Sequence, residues 1–335
     1  MNIRALGAVA VLSGLFACGS AEETAITTIS STTITPTCVP APGADLRGCD
    51  FSGDKIMRRN LAGADLTGAN FAGAFLHGTN FQKANLTGAN LSDAYLPDAN
   101  FTDANLSGAN LSSAKLYGAT LTGADLTNAN LRDASLWEAT LTGSRLWEAD
   151  LTNATATRAI LVGATLSYAN LTDADFTDAN LQNASIDNAN LTHTWFIYAN
   201  LQDAFLGASA PFRGANFAHA NLTGATFGFQ DLRGVDFSNA NLSEVDMAQN
   251  VSLVGANLTN ANFTNALVAE DLRSANLTGA NLTGASLTGS DLRDANLTNA
   301  NFSNANLRDA DLTNAILIGA RFTGANLEGV IGYKP

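Results

Sequence analysis

The side chains that most often carry chemistry are sparse in this sequence. It contains three histidines and three cysteines, namely His77, His193, His219, Cys18, Cys38 and Cys49. No Cys/His cluster has the spacing of a zinc site, and no histidine has an evident nucleophile partner. Acidic strings such as Asp173-Ala174-Asp175 lack the glycine and terminal glutamate of a calcium loop. The sequence therefore predicts no catalytic, cofactor-binding or metal site, and a protein that is not an enzyme.

The beginning of the chain has the pattern of an export signal. Residues 1–4 form a short positive segment, and residues 5–16 are an apolar stretch of signal-peptide length, too short to span a membrane. Leu15-Phe16-Ala17-Cys18-Gly19 resembles a bacterial lipobox, in which the cysteine is lipidated. This predicts a signal peptide over 1–17, lipidation of Cys18, and a lipid-anchored protein of the bacterial cell envelope, at the periplasmic face or the cell surface. An ordinary secretory signal and a mispredicted start are the alternatives.

Residues 18–44 are rich in serine, threonine and proline and predict a flexible tether after the lipid-attachment cysteine, because such a segment cannot bury a core. In an oxidising compartment Cys38 and Cys49 could form a disulfide that pins this tether to the folded region. Alternatively, Cys49 simply fills a small inward position of the repeat described next.

The rest of the chain repeats one five-residue pattern, seen twice in Ala64-Asp65-Leu66-Thr67-Gly68-Ala69-Asn70-Phe71-Ala72-Gly73. A small residue is followed by Asn or Asp, then by Leu or Phe, which we call the centre, and then by two small polar residues. A period of five fits neither an α-helix nor a flat strand. A solenoid is the remaining way to bury one large and one small side chain per repeat, because each repeat can turn a corner and coil can stack on coil.

This pattern resembles the A(D/N)LXX motif of the pentapeptide-repeat proteins over about 285 residues. The resemblance implies an all-β fold, a right-handed quadrilateral parallel β-helix with four pentapeptides per coil, inward centres and about fourteen coils. The predicted domain is residues 45–330, followed by a short tail at 331–335. The register of centres slips by one residue near Gly207 to Pro211 and again near Gln249 to Ser252, and one residue is lost near Leu267 to Glu270. Such small bulges do not end a domain.

Departures from the pattern are not random. Outward positions spaced by twenty residues carry aromatic and apolar side chains in the first half of the chain: Phe75, His77, Tyr95, Tyr117, Trp137, Trp195, Ile197 and Tyr198. This spacing independently supports four repeats per coil. An exposed strip of this kind is typical of a partner-binding site for protein or glycan. Stacking between neighbouring coils that merely stabilises the wall is the alternative.

A second column carries charge in the second half of the chain. Arg213, Arg233, Arg273 and Arg293 follow their centres, and Asp231, Asp271 and Asp291 precede three of those centres. We expect a mutually neutralising surface ladder, worth little per pair.

The acidic charge of the chain limits the classes of partner that it could bind. The formal net charge is −13, which disfavours binding to a nucleic-acid backbone. The favoured hypothesis is a non-catalytic, envelope-anchored interaction or scaffold rod that binds an unidentified protein or glycan through the aromatic strip, with a homodimer through a rod end also considered. The resemblance implies a different function, since some cytoplasmic pentapeptide-repeat proteins mimic duplex DNA and act on type II topoisomerases. A purely structural spacer is the third hypothesis.

Overall fold

The computed structural model describes residues 38–207, 211–228, 230–247 and 251–333. The predicted signal peptide, Cys18 and most of the predicted tether lie outside these residues. Strand β1 (Phe205–Leu206) pairs in parallel with strand β2 (Thr226–Phe227). In the rest of the described chain, pairing consists of single parallel bridges separated by turns, at about one bridge per pentapeptide. None of the described segments contains a helix that could cross a membrane.

Each pentapeptide turns a corner because its centre begins a β-turn. The N–H of Ala69 donates to the carbonyl of Leu66 at 2.9 Å, and Gly68 between them has a φ of 64°. A positive φ at the third turn residue defines a type II turn, which favours glycine and tolerates Asn and Asp. Asp98 and Asn128 occupy the same position with φ values of 53° and 57°. The last residue of the repeat is therefore selected by backbone conformation.

Four such corners complete one coil. Parallel bridges join residues twenty apart, from Asp45 with Asp65 to Asp175 with Trp195. Within each bridge the N–H of the centre donates to the next coil, as Phe71 does to Asn90 at 2.6 Å. The described chain from residue 45 onward is thus a parallel β-helix with four pentapeptides per coil.

The predicted register slips are present. Trp195 pairs with Asn216 and Asp231 pairs with Ser252, both at a separation of 21, whereas Ser252 pairs with Asp271 at a separation of 19. Pairing continues on both sides of each slip, so the β-helix continues through the described segments in spite of the changes in register.

The core is a stack of centres and small residues. Leu66, Phe81 and Leu126 are fully buried, as is Ala69 at the small position, which confirms the predicted inward register. Phe81 stacks on Phe101 one coil away, with ring centroids 4.8 Å apart. Each such buried side chain contributes about 1.5–3 kcal/mol of transfer free energy.

The Asn or Asp of the motif closes the outer surface. The side-chain oxygen of Asn90 accepts from the N–H of Ser92 at 3.2 Å and from its hydroxyl at 2.8 Å. The side-chain amide of Asn90 donates to Asn70 at 3.0 Å, and that of Asn110 donates to Asn90 at 3.2 Å. The same side chain therefore caps its own turn and links three coils in a ladder.

The two ends of the β-helix differ. A disulfide joins Cys38 to Cys49 at the first coil. Cys49 is also buried at the small inward position of its repeat, so it both forms the disulfide and fills that position. In the last coil Leu317, Phe322 and Leu327 are only partly buried against the core, because no further described coil covers them.

Candidate interaction surface

The predicted aromatic positions share one side of the coil. We call it the aromatic wall, and it is formed by the pentapeptides centred on Leu76, Leu96, Leu116, Leu136, Ala156, Phe176 and Phe196. On it, Phe75 bridges Tyr95 and Asp175 bridges Trp195. The second column is also continuous, since Gly118 donates its N–H to the carbonyl of Trp137 at 3.0 Å. Side chains far apart in sequence therefore lie on one surface.

These side chains differ in how far they project. Phe75, Tyr95, Trp137, Trp195 and Tyr198 are exposed, the last two to 52% and 57%. His77, Tyr117 and Ile197 are half-buried. The wall therefore presents aromatic side chains to solvent both in its early coils, at Phe75 and Tyr95, and in its late coils, at Trp195 and Tyr198.

The early part of the wall packs against itself. The rings of Phe75 and Tyr95 have centroids 6.2 Å apart, and those of Tyr95 and Tyr117 meet edge to face at 5.9 Å. Burial raises the pKa of the Tyr117 hydroxyl, and a hydrogen bond with Tyr95 adds to the effect. Lys55 caps this end, with its Nζ 6.0 Å from the Phe75 centroid. These contacts stabilise the wall by cross-strand pairing, so this segment is at least partly structural.

The two tryptophans of the wall are arranged differently. Among the described residues, neither Trp137 nor Trp195 has an aromatic ring contact. The strands of Trp137 and Trp195 are three coils apart, joined through the pentapeptides centred on Ala156 and Phe176. Both indoles therefore present aromatic area to solvent that no described ring covers.

The comparison with protein families agrees with the fold. A family model described as pentapeptide repeats (8 copies) matches this chain in nine segments, some of them overlapping, from residues 60–96 to residues 290–329. The chain belongs to the pentapeptide-repeat family. No catalytic family is indicated, and no curated protein matches.

Solved structures of other pentapeptide-repeat proteins are similar to this one. HetL from the cyanobacterium Nostoc, involved in heterocyst differentiation regulation, is 30% identical over 76% of this chain and 90% of HetL, with a TM-score of 0.24. QnrB1, a plasmid-mediated fluoroquinolone resistance protein, is 18% identical over 54% of this chain and 91% of QnrB1, with a TM-score of 0.31. A thylakoid-lumen protein from Arabidopsis thaliana is 37% identical over 33% of this chain and 68% of its own, with a TM-score of 0.17.

One aromatic group of this pentapeptide-repeat protein does not follow the step of twenty residues. Trp147 and Tyr168 are exposed and meet edge to face at 5.7 Å. They flank centres two repeats away from the aromatic wall, on the opposite side of the coil, together with exposed Phe205. Trp147 follows its centre directly whereas Tyr168 is the second residue after its centre, so a step of twenty does not connect them. Aromatic exceptions thus occur on two walls.

Large side chains at turn corners are a second unpredicted feature. Tyr198 and His219 both adopt a positive φ, of 58° and 62°, and their rings stack at 4.6 Å. Tyr168 also adopts a positive φ, of 61°. The same positive φ occurs at this turn position along the β-helix, as at Arg58 and Lys83, so the conformation belongs to the turn and only the size of the side chain is unusual.

The arginine column is neutralised as predicted. Arg233, Arg273 and Arg293 each form an ion pair with the aspartate two residues earlier. Arg273 also approaches Asp291 in the next coil at 3.6 Å. The guanidinium hydrogen bonds hold the pKa of Asp231, Asp271 and Asp291 below the usual range for a carboxyl group. The column is therefore a ladder of paired charges.

The histidines are dispersed over the described surface. His77 approaches Asp98 at 3.7 Å and His193 approaches Asp173 at 3.2 Å. No group of three metal-binding side chains occurs within the described segments. One carboxylate beside one imidazole supplies neither a metal ligand set nor a nucleophile.

Proposed function

We propose that this pentapeptide-repeat protein is a non-catalytic interaction scaffold whose aromatic wall binds a protein or glycan partner. The exposed, unstacked indoles of Trp137 and Trp195 carry the proposal. Rigid aromatic side chains gain contact area while losing little conformational entropy, and tryptophan is enriched among the residues that dominate binding energy. The purely structural alternative accounts for the packed Phe75, Tyr95 and Tyr117 but leaves the two indoles unexplained.

The test replaces both indoles by residues that the repeat itself uses. Trp137→Thr with Trp195→Asn should keep the fold and weaken partner capture from an envelope extract. The matched control is Trp147→Thr with Phe205→Asn on the opposite wall, which should leave that capture unchanged. If the variant of Trp137 and Trp195 captures partners as well as the control variant and the unchanged protein do, the aromatic wall is structural.

The proposal includes attachment to the bacterial envelope. It rests on the lipobox-like Cys18 with a signal peptide at 1–17 and a tether at 18–44, all before the β-helix of 45–330. The Cys38–Cys49 disulfide supports it, because such bonds persist in oxidising compartments. Cys18→Ala should release the protein from the membrane fraction, because it removes the residue that would carry the anchoring acyl chains. Continued membrane association of that variant would refute this part.

The proposal also includes a right-handed β-helix of about fourteen coils and a homodimer through its last coil. Leu317, Phe322 and Leu327 leave apolar area there that a second copy would cover. Light scattering should give twice the protomer mass, and Phe322→Asp should give the protomer mass. A protomer mass for the unchanged protein at high concentration would contradict the dimer.

Action on a type II topoisomerase is the second candidate function, favoured by the formal charge of −13. An acidic surface can mimic the charge of duplex DNA. If this function holds, the purified protein should inhibit DNA supercoiling by such an enzyme, and the double indole variant should inhibit it equally. Absence of inhibition at a large molar excess would exclude it.

A further inference from the structure

The two indoles of the aromatic wall bracket a recessed polar floor. In the two coils between them, the positions directly before and after the centres hold Thr155, Thr157, Asp175 and Thr177, and the turn positions at the edge of the wall hold Arg158 and Asp178. The four side chains beside the centres are small compared with an indole, so Trp137 and Trp195 stand higher than they do at the two ends. Three coil rises of about 4.8 Å separate the indole-bearing strands by about 14 Å along the axis.

The floor is a preformed set of hydrogen-bonding groups. The hydroxyl of Thr157 donates to Asp175 at 3.3 Å, and the N–H of Thr177 donates to the same carboxylate at 2.8 Å. Each group keeps unused capacity toward solvent, since a carboxylate accepts up to about four hydrogen bonds and a hydroxyl up to two. Because the backbone ladder fixes these residues, little entropy is lost when a ligand orders them.

Charge around the floor disfavours an anionic ligand. Asp173 lies at one corner of the wall and Glu138 at the other, where it pairs with Arg158 at 3.1 Å. Asp175 itself lies in the middle. A phosphate, a sulfated polymer or a nucleic acid would meet net repulsion here.

We infer that this floor binds a neutral, extended oligosaccharide lying along the β-helix axis. The inference rests on the proposed function and names the partner class for the same wall. The apolar faces of pyranose rings stack on indoles, while their hydroxyls donate to carboxylates and threonine oxygens. A sugar residue in an extended β-linked chain is similar in length to one coil rise, which is about 4.8 Å, so about three sugars span the axial distance between the coils of the two indoles.

A tryptophan signal tests this inference directly. The chain has three tryptophans, and Trp147→Phe leaves only the two indoles of the floor. The probes are neutral β-1,4-linked oligosaccharides of glucose and of N-acetylglucosamine, from disaccharide to hexasaccharide. We expect protection of the indoles from acrylamide quenching, with affinity rising up to the length that spans both indoles and then levelling off.

Variants separate stacking from hydrogen bonding. In the Trp147→Phe background, Trp137→Thr and Trp195→Asn should each weaken oligosaccharide binding about tenfold, the loss of one stacking contact. Asp175→Asn should weaken it less, because the amide still accepts hydrogen bonds. Thr127→Val on the opposite wall should have no effect.

The outcomes distinguish this inference from the proposed function. If no neutral oligosaccharide protects the indoles, or if protection does not depend on length, the oligosaccharide inference is wrong. If the double indole variant nevertheless loses a protein partner in the envelope extract, the proposed function stands without it. If a basic peptide protects the indoles and the sugars do not, the partner is a cationic protein segment and the inference is again wrong. If neither sugars nor extract components respond to the variants, both fail.

Discussion

The asparagine ladder should stabilise the fold more than a turn cap alone, and two asparagines at the same position of different repeats allow this to be measured. The side chain of Asn90 takes part in four hydrogen bonds, with Asn70, with Asn110 and twice with Ser92. The side chain of Asn105 accepts one, from the N–H of Ser107 at 3.0 Å. Both precede a buried leucine centre, so the proposed perturbation is Asn90→Ala compared with Asn105→Ala.

The expected difference follows from the number of bonds. A typical intramolecular hydrogen bond contributes about 0.5–1.5 kcal/mol net, and these bonds lie at a partly exposed surface, which favours the lower part of that range. Three additional bonds should therefore make Asn90→Ala more destabilising than Asn105→Ala by about 2 kcal/mol. Asn90→Asp keeps the three bonds that the oxygen accepts and loses only the donation to Asn70, so it should cost about as much as Asn105→Ala, which also loses one bond.

The assay must resolve single coils, because repeat proteins need not unfold in one step. Urea unfolding followed by circular dichroism gives the global change, and native-state hydrogen exchange at the N–H groups of the neighbouring coils gives the local change. The reasoning is refuted if the two alanine variants differ by less than about 0.5 kcal/mol, which is within the usual scatter of such comparisons.

Three further predictions use the same measurements. Leu126→Ala should lower the free energy of unfolding by about 3 kcal/mol through the cavity it leaves, whereas Thr127→Ala at the neighbouring outward position should change it by no more than about 0.5 kcal/mol; similar losses would contradict the register. The Cys38–Cys49 disulfide closes a loop with a sequence separation of 11, so its reduction should destabilise the first coil by about 2–3 kcal/mol, and unchanged hydrogen exchange there would be evidence against this. The pKa values of Asp231, Asp271 and Asp291 are lowered in the folded state, so the stabilisation that these carboxylates give is present above the unfolded-state pKa of about 3.9 and is lost as the pH falls through the folded-state values. Asp291→Asn should lower the free energy of unfolding at neutral pH by less than about 1 kcal/mol and should weaken its decrease at acid pH. An unaltered decrease of stability at acid pH would count against the ladder.

The sequence predicts the repeat and its register well because both follow from one periodic requirement. Leu126 and Ala69 are buried where the period places them, and the slips near Pro211 and Ser252 change the pairing distance as the count of residues requires. The turn conformation is less visible. Gly68 and Asp98 look like interchangeable small polar residues until the positive φ at their position is known.

The candidate surface was harder to predict because contact depends on side-chain direction. The step of twenty finds the column of Tyr117 and Trp137 but does not show that Tyr117 packs on Tyr95 while Trp137 has no ring partner in the described chain. It also misses Trp147 with Tyr168, which meet diagonally across two coils. The pairing of Cys38 with Cys49 depends on the path of the chain before the first coil, which no periodicity describes.

Because one coil contains four pentapeptides, residues twenty apart in sequence lie on the same wall of the outer surface. Gain or loss of one whole coil between Trp137 and Trp195 would keep both indoles on the same wall and change only their distance along the axis. Gain or loss of one pentapeptide would keep every centre buried, and so leave the core intact, but it would rotate all downstream side chains to the neighbouring wall. Evolution by duplication of single repeats can thus preserve folding while dispersing the side chains of one wall, whereas duplication of whole coils changes only their spacing along the axis.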